Sequence, residues 1–155
     1  MSSFRDTSDF GSKILKIIGR KKDFKVKFSN NKYKIADALF EKNGKTALVE
    51  HKYRHITDRQ LIVKYNNELL LEESKYNNLL KYQKVNNYDY CFYITTIMSG
   101  DTFIFNLNHP ELINCNKDIR SCPDTTSGNK NYVNKKLLLL DVNSIYCQKM
   151  KIDLE

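Results

Sequence analysis

The hydrophobic positions change period along the chain, and each change marks an element. Between residues 7 and 18, Phe10, Ile14, Ile17 and Ile18 recur at i, i+4, i+7 and i+8, the single apolar face of an amphipathic helix. Thr7 or Ser8 is placed to cap it, Asp9 falls in its first turn, and Gly19 is a natural stop. From Asp23 to Phe28 the period drops to two: Phe24, Val26 and Phe28 alternate with Lys25 and Lys27, as on a half-exposed strand. Ser29-Asn30-Asn31 reads as a turn. Two further alternating runs, Tyr33 to Glu41 and Lys45 to Tyr53, flank Asn43-Gly44. Asn-Gly between such runs is the strongest short-range hairpin signal, because a type I′ turn needs positive φ at both central residues.

After Tyr53 the pattern loosens. Arg54 to Gln60 is polar, and Leu61 to Val63 suits either a strand extension or a helix start. Leu69, Leu70, Tyr76, Leu79, Leu80 and Gln83 fall near helical spacing with no Gly or Pro between them, which predicts one long helix over Asn66 to Val85. Tyr90 to Ile97 is a continuous β-branched and aromatic run, suited to a strand covered on both faces, and Thr102 to Leu107 returns after a Ser-Gly-Asp turn. Residues 108 to 131 are rich in Asn, Asp, Ser, Gly and Pro and read as an extended loop or flap. Lys136 to Val142 suits a buried strand, and the tail from Ser144 a short terminal helix. The order implies a single α/β domain over residues 1–155, a central mixed sheet flanked by helices, with its core in about 7–107.

The hairpin carries the candidate chemistry. With Asn43-Gly44 as the turn, paired positions sum to 87, so Asp37 lies directly opposite Glu50. Lys52 points to the same face as Glu50, and the His51 side chain to the other. Like charges placed directly opposite destabilise a sheet, so the arrangement asks for a cation: Lys52 or a divalent metal. Ile35, Ala36, Ala38 and Leu39 surround Asp37, and Ala47 to Val49 precede Glu50. Carboxylates in apolar surroundings need partners. The alternative is a solvated hairpin with ordinary surface charges.

Charge narrows the partner. The formal net charge is +8, and Lys13 to Lys34 holds nine Lys or Arg (13, 16, 20, 21, 22, 25, 27, 32, 34) against the single acid Asp23. Such a footprint points to an anionic partner, nucleic acid first. No apolar run approaches a membrane span, and the N-terminus lacks the apolar core of a secretory signal, so a cytoplasmic location is expected, the host cytoplasm if the chain is phage-encoded. Cys91, Cys115, Cys122 and Cys147 form no CxxC pair, and with His109 they match no common zinc spacing; free thiols are expected. No Gly-rich phosphate loop, GxSxG or HExxH sequence is present.

Ile35-Ala36-Asp37 and Val49-Glu50-His51-Lys52, with twelve residues between Asp37 and Glu50, resemble the PD-(D/E)xK nuclease superfamily, the restriction-endonuclease-like fold with its αβββαβ core, over about residues 7 to 107. Ala36 stands where the nominal motif has Pro, and the first helix carries no Glu, with Asp6 or Asp9 as the available substitutes for an extra acid. The resemblance implies a metal-dependent endonuclease. Asp37, Glu50 and the backbone carbonyl of His51 would be ligands to Mg²⁺ or Mn²⁺, and Asp37, Glu50 and Lys52 the catalytic set. Oxygen ligands with retained waters suit Mg²⁺, and Lys52 would act as a point charge on the attacking water or the developing phosphorane. Arg54, Arg59, Lys64 and Lys75 are candidate phosphate contacts; the family's later helix often lends a basic or polar residue, here Lys75 or Gln83. Tyr33, Tyr53 and Tyr65 are candidates to stack on unpaired bases. DNA is the expected substrate, with RNA not excluded, and the small size favours branched or junction substrates, as in the resolvases of this fold, with a homodimer as one arrangement. The competing readings are a catalytically inactive nucleic-acid-binding protein of the same fold, and a phage or virion interaction protein.

Overall fold

The computed structural model describes residues 3–29, 35–123 and 131–154, with side chains from residue 10 onward. The elements run α1 (Ser3–Lys21), β1 (Lys25–Phe28), β2 (Ala38–Lys42), β3 (Lys45–Arg54), α2 (Asp58–Val63), β4 (Glu68–Glu72), α3 (Glu73–Val85), β5 (Tyr90–Ile97), β6 (Asp101–Asn106), a 3₁₀ turn (Pro110–Asn114), β7 (Asn116–Pro123), β8 (Tyr132–Asp141) and β9 (Cys147–Lys151). Six strands form one mixed sheet in the order β1-β2-β3-β5-β6-β9, and β4-β8-β7 form a second. The expected helix, three strands, helix, strand order is present, with α2 and β4 interposed. This is an α/β fold with a central mixed sheet flanked by helices.

The central hairpin keeps its expected register. Asn43 and Gly44 adopt φ of 52° and 77°, and Lys42↔Lys45 through Ala38↔Val49 all sum to 87. β5 lies parallel to β3 on the other side, which makes the sheet mixed. Gly100 turns β5 into β6 at φ 92°, and a side chain there would run into the Ile152 carbonyl.

The helix α1 begins before Thr7 and Ser8, so neither caps it, and it continues past Gly19 to Lys21. A Cβ at Gly19 would meet the Val26 side chain, so this glycine admits β1 against the helix rather than ending it. The chain reverses instead at Asp23, with φ 59°. The side chains of Asp6 and Asp9, the turn at Asn30-Asn31 and Tyr33 lie outside the described residues.

Three expectations are corrected. The long helix over 66–85 is a strand followed by a helix. Asn66 and Asn67 take positive φ (54° and 59°) and make the turn, after which Leu69 and Leu71 are buried in alternation and pair with Leu140 and Leu138 of β8. The C-terminal helix is β9, which pairs with β6 from Phe105↔Cys147 to Asp101↔Lys151. The 108–131 flap includes β7, which pairs with β8 over its full length. In each case a strand partner distant in sequence decides the conformation.

The two faces of the large sheet have separate cores. Ile14, Leu15 and Ile18 of α1 pack on Ala38, Phe40, Ala47, Val49, Ile94 and Ile104. On the other face Leu48, Cys91, Tyr93, Ile97 and Phe105 meet Leu79 of α3 and Leu69, Leu71, Leu138 and Leu140 of the second sheet.

Candidate active site

The alternation along β3 sends Ala47, Val49 and Tyr53 toward α1, and Leu48 and Arg54 toward α3 and the second sheet. Glu50 and Lys52 share the second face. Asp37 comes to them from outside β2. The ladder ends at Ala38↔Val49, and the chain bends away one residue earlier. The Asp37 N–H still donates to Val49 O at 3.0 Å, while its carboxylate Oδ2 accepts from the His51 N–H at 2.8 Å. Asp37 is therefore not a ladder partner directly opposite Glu50. Its side chain replaces the missing backbone acceptor and is fixed beside the Glu50-His51 peptide. Charge-assisted bonds of this kind are among the stronger ones.

A cation already lies beside Glu50, and it comes from α3. Lys75 Nζ is 3.6 Å from Glu50 Oε2 and donates to the Ile35 carbonyl at 2.6 Å. One ammonium thus ties the approach to β2, the acid on β3 and the helix together. Lys52 is exposed on the same face. The sequence offers Lys52 or a metal as the compensating charge, and Lys75 as a phosphate contact or as the basic residue that the later helix lends to the site.

The His51 ring turns to the α1 side, where Nε2 lies 3.0 Å from Thr96 Oγ1. Burial lowers its pKa to about 4, against the opposing pull of Asp37, so it is neutral at physiological pH. The remaining positions separate. Arg54 Nη2 donates to Leu70 O at 2.9 Å and to Tyr93 Oη at 3.3 Å, bridging β3 to β4. Tyr93 and the Leu70 carbonyl are contacts that sequence reasoning missed, and reading β4 as helix hid them. Arg59 and Lys64 are exposed in and just after α2, with Lys64 over the Tyr65 ring at 5.4 Å. Gln83 is buried and holds Tyr88 O and Asn108 instead of facing Glu50. Tyr53 packs edge-on against Phe10 at 5.0 Å, an arrangement that leaves its ring in the core. The four cysteines are free thiols.

Among the described residues no group of three or more His, Cys, Asp or Glu side chains converges as a metal cluster. The donor set that Asp37, Glu50 and the His51 carbonyl present is nonetheless all oxygen and anionic, with a cation already drawn to it. That chemistry fits a hard divalent ion holding some of its own water.

The sequence matches no protein-family model, and no curated protein matches it. Among solved structures the chain is similar to Hjc, a Holliday junction resolvase from the archaeal hyperthermophile Archaeoglobus fulgidus, with a TM-score of 0.47 and 9% identity over 84% of this chain and 94% of that one.

Proposed function

We propose that the protein is a metal-dependent endonuclease that hydrolyses phosphodiester bonds in DNA, selecting branched or junction structures. The observation that supports this best is the Asp37 carboxylate held on the His51 amide, next to Glu50 and on the approach to exposed Lys52. Asp37, Glu50 and the His51 carbonyl would hold Mg²⁺ or Mn²⁺, which when bound polarises a phosphoryl oxygen and lowers the pKa of an attacking water. The chain's own residues do the rest. The His51 amide keeps Asp37 oriented, and Lys75 restrains Glu50 until substrate arrives. Lys52 orients the water or stabilises the charge that develops on phosphorus. Arg59 and Lys64 offer phosphate contacts on the flank, and Arg54 braces β3 against β4 on that same face.

One observation favours the second reading, a nucleic-acid-binding protein without catalysis: the Lys75 ammonium neutralises Glu50 without any metal. A single assay separates the two. Purified protein is incubated with plasmid, single-stranded and four-way-junction DNA, with Mg²⁺ or Mn²⁺ and with chelator. The nuclease reading expects cleavage that disappears in Asp37→Ala, Glu50→Ala and Lys52→Ala while the fold is retained. Cleavage that survives all three substitutions sinks the site. Salt-dependent binding without cutting under either metal establishes the second reading.

A further inference from the structure

The part of the basic run carried by α1 lies on the sheet face opposite the candidate active site. The C-terminal end of α1 gathers charge from elsewhere. Lys21 and Lys22 join Lys42 from the hairpin end of β2 around one shallow depression, with Asp23, Phe24 and the main chain of Lys151 also on its wall. The ammonium groups are held in place but hardly neutralised. Lys21 Nζ donates to the Lys151 carbonyl at 3.0 Å, and Lys42 Nζ to the Lys22 carbonyl at 2.9 Å. A carbonyl accepts a hydrogen bond without cancelling a unit charge. Lys42 also sits over the Phe24 ring at 5.3 Å. Among the lining residues the acid is Asp23; the Lys151 ammonium turns to the other sheet face, toward its ladder partner Asp101, whose Oδ1 is 3.9 Å from Lys151 Nζ. Among the described lining residues three cations thus face one carboxylate. Burial chiefly, and the charge of Lys42 secondarily, hold the Lys22 ammonium below the usual lysine pKa.

Such a cluster is relieved by an anion, and the surroundings indicate which. A membrane-docking surface combines basic residues with protruding apolar side chains. None of the large hydrophobic residues exposed among the described residues, such as Ile62, Val63, Ile113, Ile119 or Ile145, borders this depression. It is open and its lysines are spread along it, as suits the repeated phosphates of a backbone.

We propose that Lys21, Lys22 and Lys42 form a second binding site for the phosphate backbone of nucleic acid, on the sheet face opposite Glu50 and Lys52. It rests on the reading above that nucleic acid is the ligand, and it adds a segment of that ligand distinct from the one at the candidate active site. A nucleic acid engaging both surfaces presents two arms or bends around the sheet.

The test is binding of fluorescently labelled duplex DNA in chelator, where cleavage does not contribute. Lys42→Gln combined with Lys21→Gln is expected to weaken binding about tenfold at moderate salt and to reduce the salt slope by about 2, roughly 0.9 for each lost contact. Lys84→Gln, on the last turn of α3, is the control and leaves both unchanged. On the unaltered protein, DNA is expected to protect Lys22 and Lys42 from an amine-reactive label. Unchanged affinity and slope in the double variant, or no protection, overturns the site. So does protection by anionic phospholipid vesicles where DNA gives none. Protection in a protein that cuts no substrate supports this site and defeats the nuclease reading; cutting without protection does the reverse.

Discussion

The two faces of β3 share one backbone and differ in what covers them. On the α1 side, Val49 and Ile94 are fully buried, and the His51 ring is neutral and bonded to Thr96. On the α3 side, Glu50, Lys52 and Arg54 follow one another, with Asp37 and Lys75 brought in from other elements. The first face closes over its contents. The second holds charges that only partly neutralise each other and leaves Lys52 in solvent. The pleat thus keeps the candidate chemistry to one side of β3 and leaves the other side to closed packing.

The sharpest way to break this comparison is to change each face alone. Glu50→Gln is expected to lower DNA cleavage by on the order of 10²–10³-fold, the scale of losing one electrostatic group in a reaction centre, with little change in thermal midpoint. Ile94→Ala, at the position registered with His51, should do the converse: a loss of about 2–5 kcal/mol in urea unfolding, with cleavage per folded molecule retained. If Ile94→Ala abolished cleavage in fully folded protein, or Glu50→Gln unfolded the chain, the separation of the faces would fail.

Arg54 tests the boundary between them. Its guanidinium joins the large sheet to β4 through Leu70 O and Tyr93 Oη. Arg54→Met keeps the aliphatic stem and removes both bonds, with an expected cost of about 1–3 kcal/mol by chemical denaturation. A role confined to phosphate contact would instead leave stability unchanged and weaken DNA binding.

Much of the α1 face was legible because its signals are local. Period-two residues in β2 and β3 and the Asn43-Gly44 turn fix their register, and Ile14, Ile17 and Ile18 mark the helix side. The candidate site was legible as a set of residues but not as an arrangement. Asp37 leaves the ladder one residue before it would oppose Glu50, and no periodicity reports such a bend. Lys75 reaches Glu50 because β4 turns α3 back across the sheet, yet Glu68 to Glu72 reads equally well as helix until Leu138 and Leu140 are known to pair with it. The same dependence on distant partners hid β7 and β9. Asn-rich and lysine-rich segments carry little intrinsic preference, so the neighbouring strand decides.

The effect confined to the narrowest conditions lies under the active face. Cys91 is wholly buried beside Leu48, and its thiol is pushed up from 9.0 to about 12, chiefly by burial and secondarily by the Glu50 charge. A group whose pKa is raised by folding stabilises the fold fully below its unfolded value and loses that contribution as pH rises toward the folded one. The window is therefore pH 9 to 12. Within it the stability advantage of the wild type over Cys91→Ala should shrink by up to about 1.4 kcal/mol per pH unit, and below pH 9 it should be flat. Comparing the two proteins by urea unfolding removes the tyrosine titrations common to both. Adding Glu50→Gln to each should lower the upper end of the window only modestly, because burial remains. A collapse of the window on that substitution would mean that Glu50, not burial, governs the thiol, and that the charged face reaches deeper into the core than its contacts show.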